Sequence, residues 1–202
     1  MPEKKGLTYL VTDEDRQKAD HILENEGISG EDICFGIHLG ASKNDKTWPA
    51  SSFAALADMI SSKFHAKILL FGASSEADLG REFEMTANCT PVNLIGRTSV
   101  GELAALLGRC ELLISNDTGP LHLATAVGAK VIDIFTSNVH FLETGPYGEG
   151  HFVIQADLPC VPCAFDVECN NRICKDVITP AGVYALVEYA MKKTEAFPAH
   201  EQ

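Results

Sequence analysis

No stretch of the sequence approaches the roughly 18 apolar residues that a membrane-spanning helix needs. The first twelve residues hold no apolar core of the kind a secretory signal carries, so a cytoplasmic protein is the expectation. Basic side chains are also scarce: 16 Lys and Arg stand against 28 Asp and Glu, a formal net charge of -12. Without a long basic stripe to release counterions, a nucleic-acid backbone is excluded as the main partner. An anionic small ligand is not excluded, because a few aimed amides and one lysine can hold a pyrophosphate locally. Low-complexity segments and sequence repeats are missing too, beyond an alternation of strand and helix.

The 202 residues allow one domain with a sizeable core and are short for two, so residues 1–202 are read as a single domain. Its N-terminal helix, over 12–26, opens on a capping Thr and closes at Gly27. Short, nearly continuous apolar runs at 33–39, 67–71, 92–95, 111–115, 130–135 and 151–155 read as buried strands. Helices are predicted from Pro49 onward and over 76–88, 100–107, 119–127 and 180–193. The one at 100–107 carries a capping box, Ser99 with Glu102. Such strands alternating with helices predict an α/β fold, a Rossmann-like parallel sheet covered on both faces. Ligands then sit beyond the carboxyl ends of the strands, which directs attention to loops 40–48, 72–76, 96–99, 115–119 and 136–150.

The most informative loop is Ser115-Asn116-Asp117-Thr118-Gly119-Pro120-Leu121-His122, at a strand end and a helix start. Free N–H groups there, with the helix dipole, make an anion site. Gly119 admits a close phosphate, and the Thr118 hydroxyl adds a donor. Asp117 repels phosphate, so it either caps the helix or accepts from sugar hydroxyls. His122 either faces a ligand or is a partly buried His without a ligand role. In the loop from His38 to Pro49, Gly40 and Ser42 can donate to a pyrophosphate and Lys43 or Lys46 can offer a charge; a solvated Lys is the plainer reading. Trp48 reads as packing that loop down. Glu76 either complements the start of its helix or holds a ribose.

Taken in order, these stretches resemble the C-terminal domain of glycosyltransferase family 9, the heptosyltransferases. The resemblance runs from about residue 8 to 192. It is carried by Gly-Ala-Ser with Asp-Lys-x-Trp-Pro, then Phe-Gly with Glu76, Asn93-Leu94-Ile95-Gly96-Arg97-Thr98, Asp117-Thr118-Gly119-Pro120-x-His122, and Thr144-Gly145-Pro146-Tyr147-Gly148. It implies that this is the nucleotide-sugar-binding half of a GT-B enzyme. Ser42 and Lys46 would contact the diphosphate of the donor and Glu76 its ribose. Thr118 and Gly119 would hold phosphate, Asp117 the transferred sugar, and His122 would support that loop or reach the donor. Ala41 departs from the hydroxyl residue often found at its position in relatives, which weakens one diphosphate contact. The implied reaction is inverting transfer of a heptose or related sugar, from a nucleoside diphosphate sugar with ADP-heptose the first expectation, to a lipopolysaccharide-core-type acceptor, lipid-linked or saccharide. No cofactor is required for it. The resemblance also implies an N-terminal domain that holds the acceptor and supplies the general base. No catalytic residue is therefore expected in this chain, which is read as an excised or separately expressed half, peripheral to the inner face of the membrane only through the full-length protein. Two other readings stand beside it: a stand-alone nucleotide-sugar-binding or partner module, and a nucleotide-sugar epimerase-like domain.

The segment 157–178 holds Cys160, Cys163, Cys169 and Cys174. A C-x-x-C with two more cysteines nearby can bind zinc tetrahedrally or an iron–sulfur group; thiols or opportunistic disulfides are the alternative. Cys34, Cys89 and Cys110 read as small core residues.

Overall fold

The structure, a computed structural model, describes residues 6–41, 47–136, 141–163, 169 and 171–196, with residues 194–196 as backbone only. In chain order the elements are α1 (Asp13–Asn25), β1 (Cys34–His38), α2 (Ala50–Phe64), β2 (Lys67–Phe71), a 3-10 turn (Ser74–Glu76), α3 (Ala77–Thr86), β3 (Val92–Asn93), α4 (Val100–Leu107), β4 (Leu112–Asn116), α5 (Gly119–Ala126), β5 (Val131–Phe135), α6 (Phe141–Thr144), β6 (Phe152–Gln155), α7 (Ile173–Val177) and α8 (Pro180–Ala196). All six strands are parallel, in the order β3-β2-β1-β4-β5-β6. This is the Rossmann-like sheet that the alternation predicts.

Strand periodicity sorts the core into two layers. Phe35, Ile37, Ile68, Leu70, Ile114, Ile132 and Ile134 face one way, against Phe53, Leu56 and Ile60 of α2, Phe83 of α3, and Val183 and Val187 of α8. Cys34, Leu69, Phe71, Leu113 and Val131 face the other way, against Ala19 and Leu23 of α1, Leu106 and Leu107 of α4, and Leu121 and Ala124 of α5. Burial of these side chains on both faces supplies the main driving force for the fold. Cys34 and Cys110 belong to the second layer. Cys89 is only half-buried at the rim of the first, and burial pushes its thiol up to about 12.

Local chemistry fixes the helix starts. Thr12 accepts from the Asp15 N–H at 3.1 Å, and the Asp15 carboxylate accepts the Thr12 N–H at 3.2 Å. Ser99 and Glu102 form the same reciprocal box at α4. The helix expected from Glu76 instead opens in the 3-10 turn and becomes α-helical at Ala77. The third strand is shorter than its apolar run, because Gly96 turns the chain at φ +71°. Short helices α6 and α7 appear in regions whose sequence shows no helical periodicity. Among the described residues, no helix is long and apolar enough to cross a membrane.

Candidate functional site

The strand order reverses between β1 and β4, so the crevice beyond their carboxyl ends is the place where this kind of sheet takes ligands. Asn116, the last residue of β4, stitches that crevice together from a fully buried position. Its Oδ1 accepts from the Trp48 N–H at 2.9 Å, and its Nδ2 donates to the carbonyls of Leu39 at 2.8 Å and Gly40 at 3.2 Å. One amide therefore pins both ends of the loop that leaves β1. Trp48 completes the anchor: its ring is buried edge-on to Phe53, and Nε1 donates to the Ile178 carbonyl at 2.9 Å. It packs the loop down, as its sequence position predicts.

Glu76 folds back over the start of that loop. Its Oε2 accepts from the Ala73 N–H at 2.7 Å and lies 3.6 Å from His38 Nε2. The His38 imidazole, followed by the Ala73 N–H, holds the carboxyl below its ordinary value against the opposing effect of burial. A Cβ at position 40 would fall 1.4 Å from Glu76 Oε1, so only glycine lets the carboxylate lie there. On its other side His38 Nδ1 is 3.4 Å from the Thr118 hydroxyl. With the proton on Nε2 facing Glu76, Nδ1 accepts from Thr118, and the buried imidazole links the two flanks of the crevice.

Thr118 is the N-cap of α5, in extended conformation, and no side chain caps the helix. Asp117 is thus not the cap, one of the two roles its position allows. Gly119 is exposed, and nothing lies within 4 Å of where its side chain would be, so the backbone of this helix start is open to a close ligand, although Pro120 offers no N–H. The result is an open, partly positive helix start. Asp117 turns aside: it accepts from the Thr144 hydroxyl at 3.0 Å and stands 3.9 Å from His122 Nε2.

These loops enclose a cavity of about 440 Å³, within the range of small-ligand sites. His38, Gly72, Ala73 and Glu76 line one side, Thr118, Gly119 and Pro120 another, and Thr98, Ser99, Val100 and Leu103 a third. Of the residues singled out in the sequence, Glu76, Thr118 and Gly119 meet in this cavity. Asp117 and His122 form a pair beside it without lining it. Ser42 and Lys46, like Lys43, lie outside the described residues. His38, Asn116 and the wall from Thr98 to Leu103 were given no ligand role in the sequence, although loop 96–99 was marked; a polar residue ending a buried apolar strand was the available signal for the first two.

In the cysteine segment, burial and then the nearby Cys163, Cys169 and Cys160 thiols push Cys174 up. The N–H groups of Arg172 and Asn171 hold Cys169 down, the former 3.3 Å from its sulfur. Among the described residues, no group of three or more His, Cys, Asp or Glu side chains is placed to hold a metal ion.

The model of glycosyltransferase family 9 (heptosyltransferase) matches residues 2–173. Lipooligosaccharide heptosyltransferase 2 of Campylobacter jejuni (serotype O:6) is 34% identical over 134 residues, covering 63% of this chain and 42% of that protein. Among solved structures, a glycosyl transferase family 9 protein from Veillonella parvula superposes with a TM-score of 0.82 at 24% identity, over 93% of this chain and 54% of that one. The ADP-heptose lps heptosyltransferase II of E. coli superposes with a TM-score of 0.76 at 20% identity, over 93% of this chain and 54% of that one. The two superpositions attest the fold. This chain spans about half the length of these proteins, 42% and 54% of two of them.

Proposed function

The chain belongs to glycosyltransferase family 9, and from that premise we propose that it is the donor-binding half of a GT-B sugar transferase. Its cavity would receive a nucleoside diphosphate sugar, ADP-heptose by analogy with the relatives, whose sugar passes to a lipopolysaccharide-core-type acceptor. The observation that carries this reading is the meeting, at the sheet's switch point, of an uncapped helix start at Thr118–Gly119 with the Glu76 carboxylate across the same cavity. The α5 amides and dipole suit the diphosphate. Glu76, ionised and aimed by His38, suits a ribose diol. Val100, Leu103 and Pro120 offer an apolar wall to a base. Lys46 and Ser42 would complete the diphosphate contacts from the β1 loop. Asp117, outside the phosphate's reach and backed by His122, would accept from hydroxyls of the transferred sugar.

In the reaction an acceptor hydroxyl attacks the anomeric carbon, the bond to the nucleoside diphosphate breaks, and the hydroxyl proton goes to a base. Lys46 and the start of α5 would stabilise the charge that grows on the leaving diphosphate. The base would come from a second, acceptor-binding domain, in the same protein or a separate chain. The reading places the enzyme in the cytoplasm, at the inner face of the membrane. It accounts for the ordered family stretches, for which an epimerase offers no reason.

Calorimetric titration with ADP, UDP and GDP tests the reading. One diphosphate should bind preferentially, Lys46→Ala should weaken it, and Asp117→Ala should weaken the nucleotide sugar while sparing the bare nucleotide. Failure of all three to bind at millimolar concentration sinks it. Metal binding by Cys160, Cys163, Cys169 and Cys174 is a separate second reading that rests on the C-x-x-C spacing with two further cysteines, and the placement of the described residues does not favour it. Zinc or iron near one equivalent in chelator-free protein, lost in Cys163→Ser, would support it.

A further inference from the structure

Asp133 stands in the middle of β5, fully buried, and neither of its carboxyl oxygens meets a hydrogen-bond partner. It is the end of a polar row across the sheet. In the strand register His38 pairs with Ser115, and Ser115 with Asp133. The pleat turns all three side chains to the face covered by α1, α4 and α5. His38 lines the cavity, where it stands between Glu76 and Thr118, and behind it Ser115 Oγ lies 3.3 Å from Thr118 Oγ1. The third is the only member of the row without a partner.

The groups around Asp133 leave its charge uncompensated. On β4 it faces Ser115, and on β6 its register partner is Val153. The loop into α5 brings Asp117, whose charge reaches it. On α5, His122 faces Asp117 rather than Asp133. Glu143 of α6 is exposed, and His151 precedes β6 two residues short of Val153. No cation among the described residues reaches it. An unpaired carboxylate in an apolar interior, beside a second carboxylate, favours the neutral form on both counts. Burial first, then Asp117, push Asp133 up to about 8.

We propose that Asp133 is a buried acid that keeps its proton near Asp117 and makes nucleoside diphosphate binding at the donor site proton-coupled. The proposal rests on the donor-site reading. A diphosphate at Thr118 and Gly119 brings further negative charge to the Asp117 side of the crevice, and Asp133 then holds its proton more firmly. Where Asp133 is partly ionised, binding draws one proton from solvent onto a carboxyl oxygen, and the buffer acid supplies it. The neutral acid spares the site a second fixed negative charge next to an anionic ligand.

The test is calorimetry with ADP near pH 8, in two buffers of different ionisation heat, on the chain and on Asp133→Asn. The chain should take up a fraction of a proton per ADP bound, and its affinity should fall about threefold or more from about pH 7 to about pH 9. Asp133→Asn should show neither effect. Should that variant fail to fold, Asp133→Ser serves, and carbonyl carbon NMR of the ligand-free chain should find one Asp carboxyl titrating near 8. Equal proton uptake in chain and variant, or ADP binding without uptake, overturns the proposal. Absence of ADP binding sinks the donor-site reading and the coupling with it, and the ligand-free titration shows separately whether Asp133 holds its proton.

Discussion

Glu76 and Asp133 are two carboxylic acids on one side of one sheet that their surroundings push in opposite directions. His38, with the Ala73 N–H, holds Glu76 below its ordinary value; burial, with Asp117, raises Asp133 to about 8. Their linkage to folding is opposite as well. The contribution of Glu76 is present above the ordinary carboxylate range and is lost as pH falls through its depressed value. That of Asp133 is full below the ordinary Asp value and is lost as pH rises toward about 8. Urea denaturation between about pH 5 and about pH 8 should therefore show a decline in the chain that Asp133→Asn removes, with a slope of up to about 1.4 kcal/mol per pH unit. The slope is the readout, because a buried Asn amide carries its own penalty at every pH. A second residue-scale expectation concerns Glu76→Gln. Loss of a charged acceptor for the ribose diol should weaken ADP about tenfold and leave inorganic pyrophosphate unchanged. Equal loss for both would mean that Glu76 acts by shaping the Gly40 turn, not by holding the sugar.

At the scale of elements, Asn116 joins β4 to the two ends of the β1 loop, and three hydrogen bonds hang on one side chain. Asn116→Ala should destabilise the chain by about 3 kcal/mol, since it leaves the buried Trp48 N–H without an acceptor, and thermal denaturation reads this directly. Nucleotide affinity should fall with it, because the loop carrying Lys46 loses its anchor; unchanged affinity would detach that loop from the site. Asn116 also shows where the sequence stops being legible. The strand at Lys67–Phe71 and the helix at Val100–Leu107 have the bounds predicted for them, because an apolar run and a capping box are local signals. Thr118, Gly119 and Glu76 were legible for the same reason, as polar and glycine residues just past strand ends. Asn116, His38 and Asp133 sit inside apolar strands, and what gives them meaning is register. His38 meets Thr118 across 80 positions, and Asn116 meets Leu39 across 77. Asp133 did carry a local signal, a lone carboxylate in the otherwise apolar stretch Val131–Phe135. The short helices α6 and α7 gave none, having too few residues to show a period.

The whole molecule carries a net charge of -12 and yet, on the proposed reading, binds a polyanion. Attraction therefore has to be local, from the start of α5 and the lysine of the β1 loop, against a repulsive background. Salt screens both, so ADP affinity should vary little between low and moderate ionic strength, unlike the steep loss of a site fed by a basic surface. The carboxylates near the cavity also bear on what the chain can do alone. Glu76 is turned to His38 and the Ala73 amide, Asp117 to Thr144 and His122, and Asp133 is sealed beneath the sheet face. On the proposed reading Glu76 and Asp117 are occupied by the donor's own hydroxyls and Asp133 is buried, so none of the three is left to act as the base that a transfer reaction needs. We expect the chain alone to bind a nucleotide sugar without transferring it, and to gain transfer when an acceptor-binding half from the same family is supplied in trans. Mass spectrometry of a lipopolysaccharide-core acceptor after incubation with donor reads both arms. Stoichiometric product from the chain by itself would place the base among these carboxylates or in the residues outside the described set, and Glu76→Gln and Asp117→Asn would then locate it.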